Sequence, residues 1–117
     1  MKKGSAPYHP GDLRNALLVS ARTILEKKGV GALSLREVAR KAGVSHAAPY
    51  RHFQGHEALL AALATEGFKE LRAEIVASIT PSDTEPDRIT AIGAGYMRFV
   101  VNHPALARLM FGPNLPH

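Results

Sequence analysis

Residues 34–53, SLREVARKAGVSHAAPYRHF, constrain the fold of this chain more than any other stretch. Leu35, Val38, Ala39 and Ala42 recur at offsets 0, 3, 4 and 7, which puts them on one stripe of an α-helix. Ser34 stands just before that stripe with Glu37 three places on, so the two side chains can satisfy free backbone N–H groups reciprocally; the helix starts at Ser34 or Leu35. Gly43 can adopt positive φ without a Cβ clash, which ends the helix and turns the chain. Val44 is placed to tuck into the angle, and Ser45 is a second N-cap candidate. After it, His46, Ala47, Ala48, Pro49, Tyr50, Arg51 and His52 carry few bulky aliphatics and many donors. The pattern predicts two short helices, the second facing something polar.

Charge gives that polar face a sign. Residues 1–56 hold ten Lys and Arg against three acids, a balance of +7, whereas residues 57–117 hold five against seven, a balance of −2. The whole excess of +5 therefore sits in the first half, where it would attract a polyanion and release its counterions. A charge run alone is more often a solvated face, so the asymmetry supports the motif and does not replace it.

The flanking segments read as helices throughout, with no strand pattern and no internal repeat. Residues 1–11, with two Lys, Gly, Ser and Pro, form a loose basic arm. Asp12 is a cap for a helix over 12–28, striped by Leu13, Leu17, Ala21, Ile24 and Leu25 and closed by Lys27, Lys28 and Gly29. Leu59, Leu60, Leu63, Ala64, Gly67, Leu71, Ile75 and Ile79 predict a long helix over 57–79, about 34 Å at 1.5 Å per residue and too long to belong only to a compact head. Pro81 breaks the chain. Ile89, Ile92, Tyr96, Phe99 and Val100 mark another helix ending at His103-Pro104. Pro104 suits the first turn of a last short helix carrying Leu106, Leu109, Met110 and Phe111. The expected units are the arm (1–11), a helix-turn-helix head (12–56) and a connector that begins a second helical region (57–117).

In its 12–28 helix, its S-L-R-E-V-A-x-x-A-G-V-S pattern and its Y-R-H-F ending, the chain resembles the tetracycline-repressor (TetR-like) transcriptional regulators over about residues 12 to 64. The stretch GYMRFVVNHPALARLMFGP resembles the start of the effector domain in one branch of that family. The resemblance implies an all-α fold and a homodimer on a pseudo-palindromic double-stranded DNA operator, acting as a repressor released by a small-molecule effector. Carried residue by residue, it makes Arg36 and His46 candidates for base or phosphate contacts, and Ala47 and Ala48 for close approach to base edges or thymine methyls. Tyr50 and His52 become phosphate donors, Arg51 an added charge, and Ser34 and Ser45 caps that also approach the DNA. His56 donates from the start of the long helix. Tyr96, Phe99, Leu106 and Met110 are the effector candidates, although aromatic and Met residues at helical spacing are more often core.

The chain departs from the family in three ways. Pro49 stands where an aliphatic residue is usual, and a proline inside a helix costs about 3 kcal/mol. Gly55-His56 stands where a capping residue and Lys are common. Family members also carry further helices, so the effector region here is expected to be incomplete, with Phe99, Val100, Leu109, Met110 and Phe111 lacking obvious cover and inviting another subunit. The competing reading is a helical dimerisation or protein-interaction module without operator recognition.

Other classes find little support. The chain has no cysteine, nucleophile elbow or phosphate-binding glycine loop, so neither catalysis nor a cofactor is expected. His46, His52 and His56 are zinc-type ligands by chemistry but occupy DNA-facing positions of the motif, and His103 before Pro104 reads as structural. No run of about 18 apolar residues and no signal-peptide core is present, so cytoplasmic residence is the expectation.

Overall fold

The computed structural model describes residues 12–112; the expected basic arm lies outside them. In order they form α1 (Leu13–Lys28), a 3-10 turn (Val30–Ala32), α2 (Leu35–Ala42), a second 3-10 turn (Ala48–Arg51), α3 (His56–Ser78), α4 (Glu85–Asn102) and α5 (Pro104–Phe111). No strand occurs among the described residues.

The expected stripe of α1 is buried, with Leu18 added to it, and Gly29 closes the helix at φ 86° by donating its N–H to the Leu25 carbonyl at 2.8 Å. Asp12 precedes the helix without capping it: its backbone is already near-helical and its side chain makes no cap hydrogen bond. Ser34 does cap α2, its Oγ accepting from the Glu37 N–H at 3.0 Å from an extended backbone. The reciprocal half of the expected capping box is replaced. Glu37 Oε1 instead accepts from Arg40 Nη2 at 2.7 Å, a full guanidinium being a stronger partner than one backbone N–H.

The long helix α3 buries Leu59, Leu60, Leu63, Ala64, Gly67 and Leu71. Two glycines let other helices come close to it. A Cβ on Gly67 would stand 2.6 Å from Met110 Sδ and 3.2 Å from Leu106 Cδ1, so α5 packs against bare backbone there. A Cβ on Gly95 of α4 would stand 3.0 Å from Ile75 Cα and 3.3 Å from the Glu74 carbonyl, which are backbone atoms unable to rotate away. Between α3 and α4 the loop is tied by Asp83, whose carboxylate accepts from the Thr80 N–H (2.9 Å) and hydroxyl (2.6 Å). Thr84 then caps α4 by accepting from the Asp87 N–H at 3.4 Å.

A single apolar cluster runs through the molecule, from Leu17 and Leu25 of α1 through Leu33, Leu35, Val38 and Phe53 to Leu59, Leu63, Phe99, Leu106 and Met110. Cover for the second region is therefore largely internal: Phe99, Leu109 and Met110, expected to need another subunit, are at most 3% exposed. Phe111 does remain exposed, its ring meeting Phe68 edge-on at 5.3 Å, and Val100 is half-buried. On α4, Ile89, Met97 and Val101 also face outward.

Candidate nucleic-acid interface

The site is built on the turn after α2. Gly43 takes φ 75° and ψ 30°, and its N–H donates to the Arg40 carbonyl (3.2 Å) while the Val44 N–H donates to the Ala39 carbonyl (3.0 Å). These bonds satisfy the last carbonyls of α2 and swing the chain sharply. Val44 is partly buried against the core in the resulting angle.

The expected second α-helix is not formed. Residues 48–51 make one 3-10 turn, held by Ala48 N–H to Ser45 carbonyl (3.1 Å), Tyr50 N–H to Ala47 carbonyl (3.2 Å) and His52 N–H to Pro49 carbonyl (3.0 Å). Pro49 has no N–H to give to the Ser45 carbonyl, so the four-residue ladder cannot close there and that carbonyl is taken by Ala48 at three-residue spacing. Ser45 consequently accepts through its backbone, and no side chain caps the turn.

Burial sorts the candidates. Ala48 is only 4% exposed and Pro49 is fully buried; with Phe53 they anchor the turn in the core. Ala48, a candidate for close approach to base edges, thus sits on the core side of the turn with Pro49 and Phe53 and not in its exposed row. Ser45, His46, Ala47, Tyr50, Arg51 and His52 are exposed and lie along one short stretch, with Tyr50 61% exposed. Arg36 is exposed in the first turn of α2, Ser34 is half-buried at its start, and α2 packs against the turn. His56 is exposed at the first residue of α3, whose cap Gly55 offers no side chain, leaving backbone N–H groups of the first α3 turn without a side-chain partner.

Sequence reasoning missed Arg14. It lies on the exposed side of α1 with its guanidinium carbon 5.5 Å above the Phe53 ring, which brings a cation beside the turn. Its signal was available as a polar position off the α1 apolar stripe, but its neighbour 39 residues away was not. Electrostatically the face is already biased: Arg40, with smaller help from Lys28 and Arg36, holds the Glu37 carboxyl below its ordinary value. The acid of α2 is therefore kept charged and paired.

The effector candidates are distributed differently. Phe99, Leu106 and Met110 are 3% exposed or less and belong to the core, Leu106 and Met110 because α5 closes over Gly67 of α3. Tyr96 is partly exposed, its ring 6.1 Å from that of Phe111.

An exposed polar turn anchored by apolar residues behind a glycine-turned capped helix defines a helix-turn-helix protein. Comparison with known proteins gives the family. Residues 17–63 match the family described as "Bacterial regulatory proteins, tetR family". The chain is 33% identical over 79 residues to the HTH-type transcriptional regulator BetI of Rhizobium meliloti, an overlap covering 68% of this chain and 39% of that protein. It is 29% identical over 90 residues to the HTH-type transcriptional regulator Rv1816 of Mycobacterium tuberculosis, covering 75% and 38%. Among solved structures, a protein of unknown function from Rhodococcus sp. RHA1 superposes with TM-score 0.78 at 44% identity, over 92% of this chain and 56% of that one. A tetR-family regulatory protein from Rhodococcus RHA1 superposes with TM-score 0.70 at 29% identity, over 85% and 52%. The chain belongs to the tetR family of bacterial regulatory proteins. It spans about four-tenths of the length of these curated relatives and just over half that of these structural neighbours. Among the described residues, no helix is long and apolar enough to cross a membrane.

Proposed function

We propose that this chain is a sequence-specific DNA-binding transcriptional regulator that sets residues 45–52 in the major groove of a pseudo-palindromic operator as a homodimer. The observation that carries the reading is the sorting of the turn: every donor-bearing residue from Ser45 to His52 is exposed while Ala48, Pro49 and Phe53 hold the turn from behind. Arg36 and His46 act on bases or phosphates, Ala47 approaches base edges, and Tyr50, Arg51 and His52 act on phosphates, with Ser34 and His56 at the two flanking helix starts. The outward Ile89, Met97 and Val101 of α4 support a second copy as their cover. Repression relieved by a small-molecule effector is the finer part of the proposal and rests on the family alone, since three of the four effector candidates lie in the core.

The test is fluorescence anisotropy with duplex from the chain's own upstream region against random duplex, over a salt series. Arg36→Ala is expected to cost about 1–3 kcal/mol on the specific duplex, and Tyr50→Ala to weaken binding to both duplexes alike. Equal affinity of the native chain for both duplexes sinks operator recognition and favours the interaction-module reading.

A further inference from the structure

We infer that Arg22 is a positioning residue that fixes the head on the connector, gripping α1 so that the recognition turn is held at one angle to α3. The inference rests on the DNA-binding reading for its consequence but on geometry for its content. Arg22 Nη1 donates to Glu70 Oε2 at 2.6 Å and Nη2 to Glu70 Oε1 at 2.9 Å, a bidentate bridge from α1 to α3 across 48 residues of sequence. Its Nε donates to Glu26 Oε2 at 3.0 Å within α1. Nη2 also lies 3.3 Å from His103 Nδ1 at the α4–α5 junction, an atom that itself stands 3.5 Å from Glu26 Oε2. Three separate parts of the fold meet at this side chain, which is itself only 22% exposed.

The apolar contacts between α1, α3 and α5 hold the helices together through a non-directional force. A bidentate arginine–carboxylate pair adds a direction, because its two parallel bonds require the planes of both groups to align. At the other end of the same helix Arg14 lies over Phe53, the anchor of the recognition turn. Arg14 and Arg22 are eight residues apart, about 12 Å along the axis. Helix α1 is thus a strut, seated on the recognition turn at Arg14 and clamped to the connector at Arg22.

Because the chain has no cysteine, spin labels can be placed at Lys41→Cys on the head and Ala77→Cys on α3, both exposed, and their distance distribution measured by pulsed electron resonance. Diluted with excess unlabelled chain, so that a dimer holds at most one labelled copy, the labelled native chain is expected to give one narrow distance. Arg22→Ala should broaden it and Arg22→Lys, which keeps the charge but not the fork, should broaden it too. The exchange Arg22→Glu with Glu70→Arg, made together with Glu26→Gln so that the new carboxylate faces no like charge, should narrow it again, a rescue that loss of folding alone would not produce. Operator affinity should fall at least about fivefold in the two single variants and return in the exchange. A distribution as narrow in Arg22→Ala as in the native chain, or one that stays broad in the exchange, overturns the inference. If the distances behave as expected while even the native chain ignores operator DNA, the positioning role stands and the DNA-binding proposal falls.

Discussion

Helix α2 and the turn at Ala48–Arg51 are neighbours in the fold, yet they are held in different ways. Helix α2 carries its own fastenings: the Ser34 hydroxyl at one end, left-handed Gly43 at the other, and the Glu37–Arg40 pair between them. The turn has no side-chain cap and one fewer backbone donor because of Pro49; its shape comes from backbone hydrogen bonds and from Ala48, Pro49 and Phe53 sunk in the core. Both elements sink residues in the core, Leu35, Val38 and Ala39 from α2 and Ala48 and Pro49 from the turn, but only α2 adds side-chain bonds along its own sequence. The difference teaches how the exposed donors of the turn can be left free: its conformation does not depend on them.

The strongest way to break this comparison is to remove the turn's anchor. Phe53→Ala deletes a ring that is 3% exposed, packed with the apolar cluster and under the Arg14 guanidinium. The expected loss is about 3–5 kcal/mol in chemical denaturation, with the amides of residues 48–53 losing hydrogen-exchange protection before those of α2. Equal loss in both elements would mean that the turn is no more dependent on the core than α2 is.

A smaller effect is expected from the opposite side of the comparison. In Gly43→Ala the added Cβ meets nothing within 4 Å, so the cost is that of the left-handed backbone alone, about 1–2 kcal/mol. The loss should appear in the denaturation midpoint and at α2's last turn, with the Phe53 ring environment unchanged by nuclear magnetic resonance. A collapse of the turn as well would show that α2's fastening holds both elements.

The same contrast explains what could be read in the sequence. Helix boundaries for α1, α2, α3 and α5, the Ser34 cap and the Gly43 turn all follow from residues within four places of one another, where hydrophobic period and capping chemistry operate. The exposed row Ser45, His46, Ala47, Tyr50, Arg51 and His52 was legible from its donor-rich composition and from the family resemblance. Illegible were features decided at a distance. Ala48 faces inward with Phe53 and the core, and Leu106 and Met110 are core because Gly67 lets α5 close on α3. Arg14 over Phe53 and Arg22 on Glu70 join residues 39 and 48 positions apart, which no periodicity encodes. The 3-10 form of the turn lies between: Pro49 announced a missing bond, but burial decided what replaced the helix.

The smallest expected effect tests whether α2's fastening is electrostatic as well as geometric. Arg40, by its hydrogen bond first and its charge second, holds the Glu37 carboxyl below its ordinary value of 4.5. A carboxyl lowered in the folded chain contributes stability that is complete above that ordinary value and is lost as pH falls through the lower folded one. Acidification from neutral pH should therefore leave α2 unchanged until the carboxylate range is reached, then reduce the protection of its amides slightly, the pair being solvent-facing and its contribution small. Glu37→Gln should remove that acid-dependent step while preserving the Ser34 cap, which accepts from the backbone N–H of residue 37 and not from its side chain. The turn at Ala48–Arg51, whose anchor is apolar, should show no matching step in its own amides in either form. If it tracks α2 through the same titration, the two elements form one cooperative unit and the contrast between them is one of construction only, with no consequence for how they loosen.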